Sequence, residues 1–345
     1  MVSSLIPVTV LTGFLGSGKT TILSRLLNDP AFVDTAVIVN EFGEVGLDHV
    51  LLEESEESIV DLSCGCICCT IRDDLVSTLV DLHERRDANE IRQFKRVVLE
   101  TTGLADPAPI IHTLMQEPLV FERYRLARVV TTVDAVNGMA ILDRQPEAVK
   151  QLAVADALLV TKSDIANDDR AISALEARLA VINPSAPRSR SVQGKTDPEI
   201  FFSGGLYDTA DKGQDVADWL VKETAAAHVH HHDVNRHGDG IHTFSLTRPE
   251  PVGRGALGAF MHMLAEQKGA DLLRLKGLVK LADDQKRPAV VHGVQHVVHP
   301  VRRLDTWPTD IAETRLVLIV RDIDRGWVED LWDRVVGSAY ADLVV

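Results

Sequence analysis

Apolar positions in the first two hundred residues fall into short runs of strand length, separated by stretches at helical spacing. Residues 6–11, 35–39, 96–99, 127–133 and 157–160 are mostly β-branched runs, the composition of strands buried on both faces. Between them, Ile22, Leu23, Leu26 and Leu27 recur at helical spacing over 20–27. Leu75, Leu79 and Leu82 mark one face of a helix over 74–83, and 171–181 reads as another. This alternation predicts an α/β domain with a mostly parallel sheet flanked by helices. The rhythm changes near Gly204. Residues 208–214 are polar, 218–227 read as a short helix, and 228–240 are polar, glycine-containing and dense in histidine, the composition of a linker. Beyond it, strands are predicted over 243–246, 273–281, 289–299 and 315–320, with helices over 256–266 and 326–336. The expected organisation is an α/β domain over 1–205, a His-rich linker over 206–241 and a smaller C-terminal α+β domain over 242–345.

The size of the chain, 345 residues, agrees with two domains rather than one core. A hydrophobic fraction of 45% with 25% charged residues is that of a soluble globular protein. The formal net charge of −15 repels phosphate backbones, no strong basic patch offsets it, and Arg85-Arg86 and Arg302-Arg303 are isolated pairs. Nucleic acid is therefore not an expected partner. The N-terminal residues lack a basic signal-peptide region, and no apolar run approaches the ~20 residues needed to span a bilayer. A cytoplasmic location without membrane association is expected.

Candidate chemistry begins where the first strand ends. Gly13-Phe14-Leu15-Gly16-Ser17-Gly18-Lys19-Thr20 fits G-x-x-x-x-G-K-[ST], the phosphate-binding loop of P-loop NTPases. Its glycines allow a backbone that aims several N–H groups at phosphate oxygens. Lys19 brings positive charge to the β- and γ-phosphates, Thr20 a hydroxyl to Mg²⁺, and the following helix its positive dipole end. Gly13, Gly16, Ser17, Gly18, Lys19, Thr20 and Thr21 are the expected phosphate-side contacts. After the strand at 157–160, Thr161-Lys162-Ser163-Asp164 approximates the guanine-reading N-K-x-D, with Thr in place of Asn. The Asp164 carboxylate can accept from the ring N–H and amine of guanine, a donor pattern that adenine reverses. The Lys162 stem would pack on the nucleoside. Glu100, at the end of the strand 96–99, stands where a carboxylate reaches Mg²⁺. Gly103 can bring a backbone N–H to the γ-phosphate, which would make residues 104–109 nucleotide-sensitive. Glu41 and Glu44 follow the strand 35–39, and Glu41 can face a metal or the attacking water. A solvent-facing role competes for Glu44. No arginine stands in a motif position to complete the transition state, so slow intrinsic turnover is expected.

All four cysteines lie in Cys64-Gly65-Cys66-Ile67-Cys68-Cys69. Thiolates this close chelate a borderline ion such as Zn²⁺, with Glu41, a histidine or water completing the shell. A redox dithiol competes, although the spacing is not C-x-x-C. His228, His230, His231, His232, His237 and His242 could capture metal at modest affinity, or could simply solubilise a linker. His292, His296 and His299 read as ordinary surface or core histidines.

The motifs Gly-Phe-Leu-Gly-Ser-Gly-Lys-Thr-Thr, Asn-Glu-Phe-Gly-Glu, Gly-Cys-Ile-Cys-Cys, Glu-Thr-Thr-Gly-Leu-Ala-Asp-Pro and Thr-Lys-Ser-Asp together resemble the CobW-like GTPases. These belong to the metallochaperone branch of P-loop GTPases that also holds UreG and HypB. The stretch 272–278 and the strand 315–320 resemble that family's second domain. The resemblance implies hydrolysis of GTP to GDP coupled to handling a transition metal, most often Zn²⁺, for delivery to a client metalloprotein. Cys66, Cys68 and Cys69 match the family's C-x-C-C, and Cys64 lies outside it. Co²⁺ handling for cobalamin synthesis or nitrile hydratase activation is the alternative within the family. A nucleotide-binding metal sensor and an ATP-dependent enzyme with a structural zinc are the alternatives outside it.

Overall fold

Among the described residues of the first unit, the five apolar runs and two short segments that the sequence does not mark, Ile59–Asp61 and Arg188–Arg190, form one sheet of seven strands: β1 (Ile6–Gly13), β2 (Thr35–Val39), β3 (Ile59–Asp61), β4 (Arg96–Glu100), β5 (Tyr124–Asp134), β6 (Ala157–Thr161) and β7 (Arg188–Arg190), in the spatial order β3-β2-β4-β1-β5-β6-β7. Every pairing among them is parallel. The structure, a computed structural model, describes residues 5–39, 59–61, 70–166, 168–202, 240–298, 301–308 and 311–337. Its chain divides into two units, Met1–Arg178 with Ala186–Tyr207, and Leu179–Ser185 with Asp208–Val345.

Parallel strands need crossovers that cover both faces, and the periodic segments supply them. Helix Lys19–Leu26 turns Ile22, Leu23 and Leu26 onto Leu11, Val37, Val98, Val130 and Leu159, all fully or almost fully buried. Helix Thr70–Asp87 extends beyond the expected 74–83, and helix Asp169–Ile182 beyond 171–181. β1 lies between β4 and β5, pairing Leu11 with Glu100 on one side and with Val130 on the other. That order brings the C-terminal ends of β4 and β5 to the two sides of the loop that leaves β1. In open α/β sheets, ligands bind at such ends.

The second unit carries an antiparallel sheet in the order β11-β10-β9-β13-β8. Its strands are β8 (Ile241–Arg248), β9 (Leu272–Leu281), β10 (Asp284–Val294), β11 (Val297–Val298) and β13 (Thr314–Arg321), with β12 (Arg302–Arg303) paired to β10. Leu257, Phe260, Met261 and Leu264 of helix Arg254–Lys268 recur at three- and four-residue spacing and pack on Leu275, Val279, Leu316 and Leu318. Helix Arg325–Trp332 closes the core through an edge-on contact of Trp332 with Phe260. Asp324 caps this helix by accepting from Trp327 N. The strand expected over 289–299 is in fact a hairpin. β10 ends at Val294, Gln295 takes φ +52°, and Val297 pairs back onto Val294. No Gly or Asn marks this turn in the sequence, so the run reads as continuous. No helix among the described residues is long and apolar enough to cross a membrane.

Candidate nucleotide-binding site

The loop after β1 is shaped by glycines and close approach. Gly13, Gly16 and Gly18 take φ values of +141°, +73° and +91°, where side chains are strained. A Cβ on Gly13 would also lie 2.2 Å from Thr132 Oγ1. Gly18 caps helix Lys19–Leu26 in the left-handed region, so the helix N-terminus opens onto the loop. Ser17, buried, shares a 2.6 Å hydrogen bond with Thr132 Oγ1. Lys19 is buried, and its ammonium donates to Gly13 O at 2.9 Å and Phe14 O at 3.4 Å. The charge is thereby held inside the ring of backbone that would wrap a phosphate.

Thr20 and Glu100, far apart in sequence, meet here: Thr20 Oγ1 donates to Glu100 Oε1 at 2.9 Å, and Glu100 is fully buried. A hydroxyl and a carboxylate are the hard oxygen donors that suit Mg²⁺. The donor set therefore fits that ion. Beyond β4, Thr101 N continues the ladder to Leu11 O at 2.9 Å, and Gly103 is buried against the phosphate loop. A Cβ on Gly103 would lie 2.6 Å from Leu15 N and Cα and 3.1 Å from Lys19 Nζ. Lys19, Thr20, Glu100 and Gly103 are thus brought together as the sequence leads one to expect.

On the base side, Thr161 is buried, and its hydroxyl donates to Ser17 O at 2.7 Å and Val133 O at 3.2 Å. It braces the phosphate loop against β6, whereas the sequence places it among the nucleotide contacts. Asp164 is exposed, and its Oδ1 accepts from Gln193 N at 3.3 Å. Thr21 is exposed beside the turn at Gln193-Gly194, since a Cβ on Gly194 would lie 3.2 Å from Thr21 Cγ2. Residues 191–195, which follow β7, thus flank both Asp164 and Thr21. The Gln-Gly dipeptide is the sequence signal that could have revealed them.

Asp134, at the end of β5, is a second residue that sequence reasoning missed. It is buried and accepts from Lys162 Nζ at 2.8 Å, Val136 N at 2.7 Å, Asn137 N at 3.2 Å and Asn137 Nδ2 at 3.0 Å. Lys162 takes φ +58°, a conformation that a non-glycine residue keeps only when its surroundings fix it. Burial pushes the Asp134 carboxyl up, but the Lys162 ammonium, the Asn137 amide and the two backbone N–H groups together hold it below its ordinary value of 3.8. A carboxylate held low in the fold adds stability that is present above its unfolded pKa and lost as pH falls through its folded pKa. Between about pH 5 and 2, the melting temperature of the parent protein is expected to fall more steeply than that of Asp134→Asn. Parallel curves would contradict that role.

The metal ligands expected at Glu41, Cys66, Cys68 and Cys69, along with Cys64 and Glu44, lie outside the described residues. So do His228, His230, His231, His232, His237 and His299. Among the described residues, no group of three or more His, Cys, Asp or Glu is placed to hold a metal. His242, counted with the His-rich stretch, is absorbed by the fold: Nε2 faces Ile323 O at 2.8 Å and Nδ1 faces Gly240 O at 3.2 Å. His292 is buried on β10, and His296 Nδ1 bonds Ala265 O at 3.0 Å, as ordinary structural histidines do.

Residues 7–190 match the family model of the CobW/HypB/UreG nucleotide-binding domain, and residues 241–336 that of the cobalamin synthesis protein cobW C-terminal domain. The chain is 34% identical over 292 residues to the zinc chaperone YjiA of Escherichia coli K12, covering 85% of this chain and 87% of that protein. It is 31% identical over 349 residues to the zinc chaperone CobW of Pseudomonas aeruginosa, covering 93% and 88%. Among solved structures, the Zn(II)-bound YjiA GTPase from E. coli aligns with a TM-score of 0.67 at 27% identity, covering 96% of this chain and 99% of that one.

Proposed function

The chain belongs to the CobW/HypB/UreG family, and from that premise we propose that it is a GTP-hydrolysing metallochaperone that passes Zn²⁺ to a client metalloprotein. The observation that carries the GTPase half is the convergence of Lys19, Thr20, Glu100 and Gly103 at the ends of β1 and β4. Relatives named as zinc chaperones over most of their length favour Zn²⁺ over Co²⁺ as cargo. In this reading, residues 1–205 are the GTPase domain, 206–241 a His-rich linker and 242–345 a client-facing domain, all acting in the cytoplasm.

The loop N–H groups and Lys19 hold the phosphates. Mg²⁺, bound by Thr20 with Glu100, would neutralise charge on the β- and γ-oxygens. Gly103 offers its N–H to the γ-phosphate, Glu41 orients the attacking water or the metal, and Asp164 selects guanine, with Lys162 held over the nucleoside by Asp134. Cys66, Cys68 and Cys69 hold the cargo in a shell left incomplete for transfer, to which His230, His231 and His232 can contribute. These thiols lie in sequence between Glu41 and Glu100, so the γ-phosphate and the metal act on neighbouring segments.

Chelator competition with Zn²⁺ and Co²⁺ under reducing conditions tests this, using nucleotide-free protein, protein with GDP and protein with a non-hydrolysable GTP analogue. The expected result is a Zn²⁺ affinity about tenfold or more higher with the analogue, a coupling of at least ~1.4 kcal/mol. That gain should vanish in C66A/C68A/C69A. An affinity equal in all three nucleotide states would remove metal transfer from the proposal and leave the nucleotide site.

A further inference from the structure

We propose that Gln151 is a positioning residue that lets the site distinguish a triphosphate from a diphosphate, by holding the backbone of residues 103–105 against the phosphate loop. This inference rests on the GTPase reading above.

Gln151 is fully buried in helix Pro146–Ala153, where its neighbours Ala148, Val149 and Leu152 are apolar. Packing alone would be served there by Leu or Met. Its amide nitrogen instead donates to Gly103 O at 3.3 Å and Ala105 O at 3.0 Å. Two facing carbonyls fix which end of the amide is nitrogen. The other end, Oε1, is buried and makes no hydrogen bond. An amide buried with one end unpaired costs stability relative to an apolar side chain of the same shape. What it yields here is the placement of a loop.

The grip extends along the helix. Lys150 Nζ pairs with Asp106 Oδ2 at 3.1 Å, and Asp106 Oδ1 accepts from Ala108 N at 3.0 Å. Gln151 is itself anchored, its main-chain carbonyl accepting from Thr131 Oγ1 of β5 at 2.8 Å. Residues 103–106 are therefore held from behind by one helix, while Gly103 faces Leu15 and Lys19 in front. The Gly103 N–H is the group offered to the γ-phosphate, and a diphosphate does not reach it. Loosening the rear grip should weaken triphosphate binding and hydrolysis and spare the diphosphate.

Gln151→Met keeps the volume and removes the donor. In this variant, affinity for a non-hydrolysable GTP analogue and kcat for GTP are each expected to fall about tenfold. GDP affinity should stay unchanged, with a melting temperature lowered as the Gly103 and Ala105 carbonyls lose their donor. A residue that merely packs would leave the ratio of the two affinities untouched. An unchanged ratio, whether both nucleotides weaken together or neither does, overturns the inference. Should Gln151→Met not fold, K150A on the partly exposed ion pair gives the same readout. A shift in the ratio of about threefold is then expected, and no shift overturns the inference. A parent protein that binds neither nucleotide would sink the GTPase reading and this inference with it. A parent that binds both, beside a variant with an unchanged ratio, sinks this inference alone.

Discussion

Replacing Lys19 with alanine is expected to lower kcat/KM for GTP by about a thousandfold or more, equivalent to ~4 kcal/mol of transition-state stabilisation. The ammonium is buried at the centre of the loop and held by the Gly13 and Phe14 carbonyls. It is thus fixed before any phosphate arrives, and little reorganisation opposes its action on developing charge. GDP affinity should fall by less, because GDP lacks one of the two phosphates, β and γ, that Lys19 serves. Lysine-to-arginine is not expected to rescue, since a planar fork does not fit where a compact ammonium sits. Single-turnover phosphate release alongside a nucleotide titration separates the two effects. Turnover by Lys19→Ala within about tenfold of the parent would remove this residue from the chemistry.

The second large effect is expected from adding a single methyl group. Gly103→Ala puts a Cβ 2.6 Å from the Leu15 backbone, and neither partner is a flexible side chain that can turn away. The segment after β4 cannot retreat freely either, because Gln151 holds Gly103 O and Ala105 O from the other side. The clash must therefore be shared by the phosphate loop. A displacement of order 1 Å at a reacting group is worth about a hundredfold in rate. kcat is expected to fall by about that factor, with a smaller loss of Mg²⁺–GDP affinity. Parent-like turnover in a folded Gly103→Ala would show that the loop and the segment do not need their close approach.

Much of this site was legible in the sequence because its chemistry is local. The loop 13–20 carries its own glycines, lysine and threonine between a strand and a helix, and only its bracing by Thr132 and Thr161 comes from elsewhere in the chain. Glu100 and Gly103 were readable because position in a parallel sheet fixes which end of a strand meets a ligand. What the sequence hid depends on partners distant along the chain. Gln151 belongs to no motif, and only its amide against Gly103 and Ala105 shows what it holds. Asp134 reads as a strand-end carboxylate until Lys162 is found on it. Thr161 has a partner the motif does not announce. Its place in a motif points to the base, and its hydroxyl donates to the Ser17 carbonyl. The hairpin at Gln295 was missed because tertiary pairing, not turn chemistry, bends the chain there.

The position of β1 between β4 and β5 bears on how the protein comes to life on the ribosome. The loop expected to take phosphate is made before its flanking walls. Leu11 pairs with Glu100 and Val130, and Val133 with Val160. A nascent chain holding only the first helix has the loop sequence and no pocket, and the parallel pairings that build the pocket are non-local and slow to form. Nucleotide should therefore bind only after β6 has emerged and docked. GTP would then act during synthesis as a late fastener of a finished sheet, and chains stalled before β6 should elute from a nucleotide column with the unbound fraction.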